Sequence, residues 1–96
     1  MHILQPVRFE WDKAKAASNA KKHGVRFPEA IVALEDEAAI TIEDPDSEGE
    51  ERFVSIGVDD RGRVLVTVFV YRNDTIRIIS SGRASKTERK LYEEWQ

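Results

Sequence analysis

Three β-branched, apolar segments crowd the second half of the chain: "RFVSIGV" (52–58), "RVLVTVFVY" (63–71) and "TIRIIS" (75–80). Val, Ile, Phe and Tyr suit strands, and the connections "DDRG" and Asn73-Asp74 are too short for the crossover that parallel neighbours require. The three segments therefore read as an antiparallel meander. With Asn73-Asp74 as a two-residue turn, Arg72 opposes Thr75 and Val70 opposes Arg77. With "DDRG" as a four-residue loop, Val58 opposes Arg63 and Ile56 opposes Leu65. On that register one face gathers Val54, Ile56, Val58, Leu65, Phe69, Tyr71, Ile76 and Ile78 and should take the helices. The other gathers Ser55, Gly57, Val64, Val66, Val68, Val70, Arg72 and Arg77, and is shallower and cationic at one end.

Helices flank the meander. Asp12 suits the N-cap of "KAKAASNAKKH", which His23-Gly24 terminates, so the first helix runs from about 12 to 23. Pro28 suits the first turn of a second helix, "PEAIVALED", with Ile31 and Leu34 on its inner side. "AAITIED" reads as a further strand and "DPDSEGEE" as a polar loop. Ser85-Lys86-Thr87-Glu88 has the form of a capping box opening a closing helix whose apolar stripe is Leu91, Tyr92 and Trp95. Two helices, an antiparallel meander of about four strands and a C-terminal helix make an α+β fold. The chain has 96 residues, enough for one modest core, and is read as one domain over residues 1–96.

Charge is arranged in blocks. Residues 1–28 carry six Lys/Arg against two Asp/Glu, residues 29–60 carry twelve Asp/Glu against Arg52 alone, and the remainder carries eight Lys/Arg against four Asp/Glu. A cationic side for a polyanion and an anionic side for a basic partner are the expectation. The chain has no cysteine, which excludes disulfide scaffolds, thiolate metal sites and cysteine nucleophiles. The apolar run "VLVTVFVY" is too short to span a bilayer and "MHILQPVRF" lacks the order of a signal peptide, so a cytoplasmic protein is expected. No glycine-rich phosphate loop, metal-ligand pair or hydroxyl nucleophile motif is present, and neither metal nor cofactor is expected.

Two histidines remain. His2 sits at the terminus and carries little weight. His23 closes the first helix, placed to move a proton or contact phosphate. Arg72, Arg77 and Arg83 are the other candidate catalytic residues, suited to bidentate contacts with a phosphodiester, beside the free amides of Ser85 to Thr87. Lys22, Lys86 and Arg89 extend that cationic surface for a polyanion.

Taken together, "FEWDKAKAASNAKKHGVRFPEA", "GEERFVSIG", "RIIS" and "ERKLYEE" resemble the BrnT family of toxins from bacterial type II toxin-antitoxin systems. The resemblance implies a RelE-like fold, RNA cleavage without a metal, RNA as the polyanion that Lys22, Lys86 and Arg89 bind, and neutralisation by a BrnA-type antitoxin with a ribbon-helix-helix domain, operator DNA being contacted only through the antitoxin complex. Glu48, Glu50 and Glu51, in the acidic block, are the candidate antitoxin-docking residues. The sequence departs from the family pattern at Ile79-Ser80-Ser81-Gly82-Arg83-Ala84-Ser85: the family's arginine falls on Gly82, its lysine becomes Arg83, and Thr87 replaces an often basic position. Losing a charge-stabilising arginine costs on the order of 2 to 4 kcal/mol, by analogy with one lost oxyanion donor. Alternatively, Gly82 serves a backbone conformation with positive φ. A ribonuclease toxin is the leading function; a weakened, toxin-like module that holds its antitoxin for promoter autoregulation is the rival, ahead of a generic scaffold.

Overall fold

The computed structural model describes residues 8–96; His2 lies outside them. Asp12 accepts a hydrogen bond from the Lys15 amide at 3.0 Å and opens α1 (Lys13–His23), which ends at Gly24 in the left-handed conformation. After Val25, α2 (Phe27–Leu34) begins with Pro28 in its first turn. The Glu29 carboxylate accepts from the Arg26 amide at 2.8 Å, satisfying one of the donors that a helix start leaves free.

Among the described residues the sheet has five strands in the order β1-β5-β4-β3-β2: β1 (Arg8–Glu10), β2 (Ile40–Glu43), β3 (Phe53–Val58), β4 (Val64–Arg72) and β5 (Thr75–Arg83). The expected meander holds, but β1 is an additional edge strand, pairing parallel with Thr75 to Arg77 of β5. Strand β5 also runs on to Arg83 rather than stopping at Ser80.

One hairpin register is as expected and the other is not. Val70 opposes Arg77 and Arg72 opposes Thr75, but Val58 opposes Val64 and Ile56 opposes Val66, one residue away from the expected pairs. The cause is the turn. Asp59 donates its amide to the Arg63 carbonyl at 3.0 Å, closing a three-residue loop in which Gly62 has φ 79°, where a four-residue loop was expected. A slip of one residue turns every side chain of the strand over. Ser55 and Gly57, not Ile56 and Val58, therefore share the face of Leu65 and Phe69. Gly57 is where α2 crosses: a Cβ there would lie 2.3 Å from the Ala33 carbonyl oxygen.

The main core lies between α1, α2 and that face, with Phe27, Ala30, Leu34, Phe69, Ile76 and Ile78 all buried. One cross-strand row through it is polar: Thr41, Ser55, Thr67 and Ser81 are successive partners, and the Thr67 and Ser81 hydroxyls are 3.0 Å apart. Helix α3 (Lys86–Glu94) starts with the expected capping box on Ser85 and Glu88 but does not join α1 and α2. It rests on the opposite face, where Tyr92 packs with Ile56 and Val64. The Tyr92 hydroxyl donates to Asp36, and burial together with this bond pushes it up to about 12. Because α3 covers only this narrow patch, Leu91 and Trp95, expected on the buried stripe, are 42% and 71% exposed.

A buried ionic clamp ties the β3–β4 hairpin to both N-terminal helices. Asp59 accepts from the amides of Arg61 and Arg63 at 3.0 and 2.9 Å and from the Arg63 guanidinium at 2.9 Å. Arg63 also reaches Glu29 at 3.1 Å and donates to the Gly24 carbonyl at 3.2 Å. Burial alone would raise the Asp59 carboxyl, but the bonds from Arg63 and Arg61 outweigh it and hold it below its ordinary value. Among the described residues no helix is long and apolar enough to cross a membrane.

Candidate nucleic-acid interface

Beyond Arg77, the last partner of β1, the outer edge of β5 faces α1. Asn19, buried at 6% exposure, fills the place of a neighbouring strand. Its side-chain amide donates to the Ser81 carbonyl at 2.8 Å and accepts from the Ser81 amide at 3.1 Å, while also donating to the Val25 carbonyl at 3.0 Å. Between Asn19 and the hairpin, β5 is bulged: Ile78 opposes Phe69 and Ser80 opposes Val68, leaving Ile79 without a partner residue on β4. A bulge bends a strand and re-aims its side chains.

Two adjoining recesses form along this seam. The first, about 190 Å³, is lined by Lys15, Ser18, Asn19, Lys22 and His23 from α1 and by Ile79 and Ser80 from β5. Positions 15, 18, 19 and 22 recur at helical spacing, so one face of α1 supplies them all. No carboxylate is among the described residues that line it. The second, about 280 Å³, shares Lys15 and Ile79 with the first and adds Val70, Arg52, Glu48 and Glu50. The seam is thus a trough, cationic at the His23 end and mixed at the other.

The residues singled out from sequence divide along it. His23 and Lys22 line the first recess, and Glu48 and Glu50 the second. Arg72 and Glu50, expected to serve catalysis and antitoxin docking respectively, grip each other in a two-pronged contact at 3.0 and 3.0 Å, which lowers the Glu50 carboxyl from its ordinary value. Arg77 meets Glu10 at 3.4 Å and lies roughly 15 Å along β5 from Gly82. Arg83, Lys86, Arg89 and Glu51 are exposed and line neither recess. Lys15, Ser18, Asn19, Arg52, Ile79 and Ser80 were missed. The seven-residue spacing of Lys15 from Lys22 on one helix carried a signal for Lys15; the bulge at Ile79 carried none. Among the described residues no cluster of three or more His, Cys, Asp or Glu could hold a metal ion.

The sequence profile described as "Ribonuclease toxin, BrnT, of type II toxin-antitoxin system" matches residues 11–88. The chain belongs to the BrnT family of ribonuclease toxins. The crystal structure of the Brucella abortus ribonuclease toxin BrnT superposes on it with a TM-score of 0.66 at 21% sequence identity, over 84% of this chain and all of that one. No curated protein matches the sequence. Within this BrnT fold, Gly82 falls beside His23: a Cβ on residue 82 would lie 3.5 Å from the His23 Nδ1, an ordinary contact. Gly82 is not among the glycines with positive φ, so the expectation that it serves a left-handed backbone is not met. Its strand conformation accepts a side chain.

Proposed function

We propose that the chain is a metal-independent endoribonuclease that binds RNA along the α1–β5 trough and cleaves it beside His23. The observation that carries this reading is the cationic recess, free of carboxylates among its described lining residues and ending at a histidine, in a chain of a ribonuclease toxin family. The ribose 2′-hydroxyl attacks the adjacent phosphorus, the 5′-oxygen leaves with a proton from His23, and the 2′-hydroxyl proton passes to solvent. The products are a 2′,3′-cyclic phosphate and a 5′-hydroxyl. Lys22 and Arg83 offset the charge that builds on the phosphoryl oxygens. Arg72, Arg77, Lys86 and Arg89 hold flanking backbone, and RNA reaching Arg72 must displace Glu50. A BrnA-like ribbon-helix-helix antitoxin neutralises the toxin, steered by the acidic loop that carries Glu48, Glu50 and Glu51; operator DNA is bound through that complex alone. The cytoplasm is where RNA and such an antitoxin are met.

The test is to incubate the purified chain with end-labelled RNA in excess EDTA. Cleavage to cyclic-phosphate ends is expected; intact RNA overturns the reading.

Gly82 favours a second reading, a toxin-like module that holds its antitoxin without cutting RNA, because the family's arginine position beside His23 has no side chain here. Gly82→Arg tests for a weakened ribonuclease. As an ordinary strand position, residue 82 should tolerate both Ala and Arg with melting temperatures near that of the parent. If the chain is a weakened ribonuclease, the arginine variant cleaves at least about tenfold faster than the alanine variant. No gain in a stable Gly82→Arg protein means that Arg83 has taken the role or that the module reading holds. Loss of stability in both variants would show the glycine to be structural.

A further inference from the structure

We infer that the recess between α1 and the bulge of β5 is a seat for a single phosphate group of the bound strand, with Lys15 and Lys22 as its cationic ligands and Asn19 as the residue that positions them. This rests on the ribonuclease reading and narrows it, since of this lining the sequence alone pointed to Lys22 and His23 and otherwise to the arginines of β4 and β5.

Two of those arginines are already engaged, Arg72 by Glu50 and Arg77 by Glu10. A phosphate arriving there must exchange with a carboxylate, whereas none lines the first recess among the described residues. Lys15 and Lys22 stand two turns apart on one face of α1, with the Ser18 hydroxyl between them on the same wall and Ser80 opposite. Ammonium groups bind phosphate as mobile point charges, and hydroxyls add donors that fix its orientation. The wall is set at a fixed distance from the strand, because the three hydrogen bonds of Asn19 pin the middle of α1 to Ser81 and Val25. The seat ends at His23, so a phosphate held there has the candidate proton donor beside it.

Lys13 and Lys21 provide the control. They belong to the same helix and carry the same charge, but neither lines the recess. Alanine is the best helix former, so each Lys→Ala change leaves α1 intact. The probes are inorganic phosphate, followed by the backbone amide shifts of the folded chain, and a 2′-O-methyl tetranucleotide, which lacks the attacking hydroxyl, titrated at several salt concentrations. Phosphate should move the amides of residues 15–23 and 79–80. Lys15→Ala and Lys22→Ala should each weaken oligonucleotide binding about tenfold, equivalent to about 1.4 kcal/mol, and lower the salt slope by about 0.7. Lys13→Ala and Lys21→Ala should change affinity less than about twofold, as groups that make no phosphate contact. Losses as large for Lys13→Ala and Lys21→Ala as for Lys15→Ala and Lys22→Ala overturn the seat and leave only diffuse charge attraction. Cleavage of an all-ribose RNA by the same proteins is read alongside. Lining-specific losses without cleavage keep the seat and reject the ribonuclease reading; cleavage equally sensitive to Lys13 and Lys15 does the reverse.

Discussion

Replacing His23 with alanine is expected to slow RNA cleavage by at least about a hundredfold, the lower end of what a positioned proton donor contributes. His23 is exposed at the end of α1, so its removal leaves the core untouched and the melting temperature close to that of the parent. RNA affinity should fall far less than the rate, because Lys15 and Lys22 remain in the recess. The rate is measured on labelled RNA under single-turnover conditions, to separate chemistry from product release. A variant within about threefold of the parent assigns the proton to another group, by the same criterion.

The largest effect on stability is expected at Asp59. Asp59→Ala removes every bond that this carboxylate accepts and leaves the Arg63 guanidinium, 10% exposed, with Glu29 as its remaining anion. Breaking a buried pair from one side costs about 3 to 5 kcal/mol, whereas its exposed neighbour Asp60 should tolerate alanine within about 0.5 kcal/mol. Denaturant titration at neutral pH checks both. The pH profile adds a second readout. The Asp59 carboxyl is lowered in the folded chain, so its contribution is fully present above the ordinary carboxylate value near 3.9 and is lost as pH falls through the folded one. The parent should lose stability steeply in that acid window, and Asp59→Ala less steeply. Parallel acid profiles would mean that other carboxylates, such as Asp36 under Tyr92, govern acid unfolding.

Local signals in the sequence identified what depends on local chemistry. The Asp12 cap, the Gly24 terminator, the Ser85 capping box and the Val70–Arg77 register all rest on a few adjacent residues. What the sequence concealed depends on count or on distant partners. Whether the Asp59–Arg63 turn has three or four residues inverts a whole strand, and "DDRG" fits both. Strand β1 has three residues and is a strand only because β5 lies alongside. The acidic block from 29 to 60 reads as one surface, yet Glu29 and Asp59 close the clamp around Arg63 and Asp36 holds Tyr92, while Glu35, Glu37, Glu43, Asp60 and the loop around Glu48 to Glu51 stay exposed. At the site, the arginines drew attention by residue type, while the lysine stripe of α1 gained meaning only when the bulge at Ile79 and the anchor at Asn19 brought helix and strand together.

Asn19 also bears on how the protein behaves when concentrated. Past Arg77 the main chain of β5 has no strand on its outer side among the described residues, and an open edge in an apolar strand is a template on which another chain can lay down a strand of its own. The side-chain amide occupies both the donor and the acceptor of Ser81, and α1 lies over the rest of that edge. A single residue thereby shields this stretch of β5 from pairing with another molecule, and its loss would favour aggregation during folding.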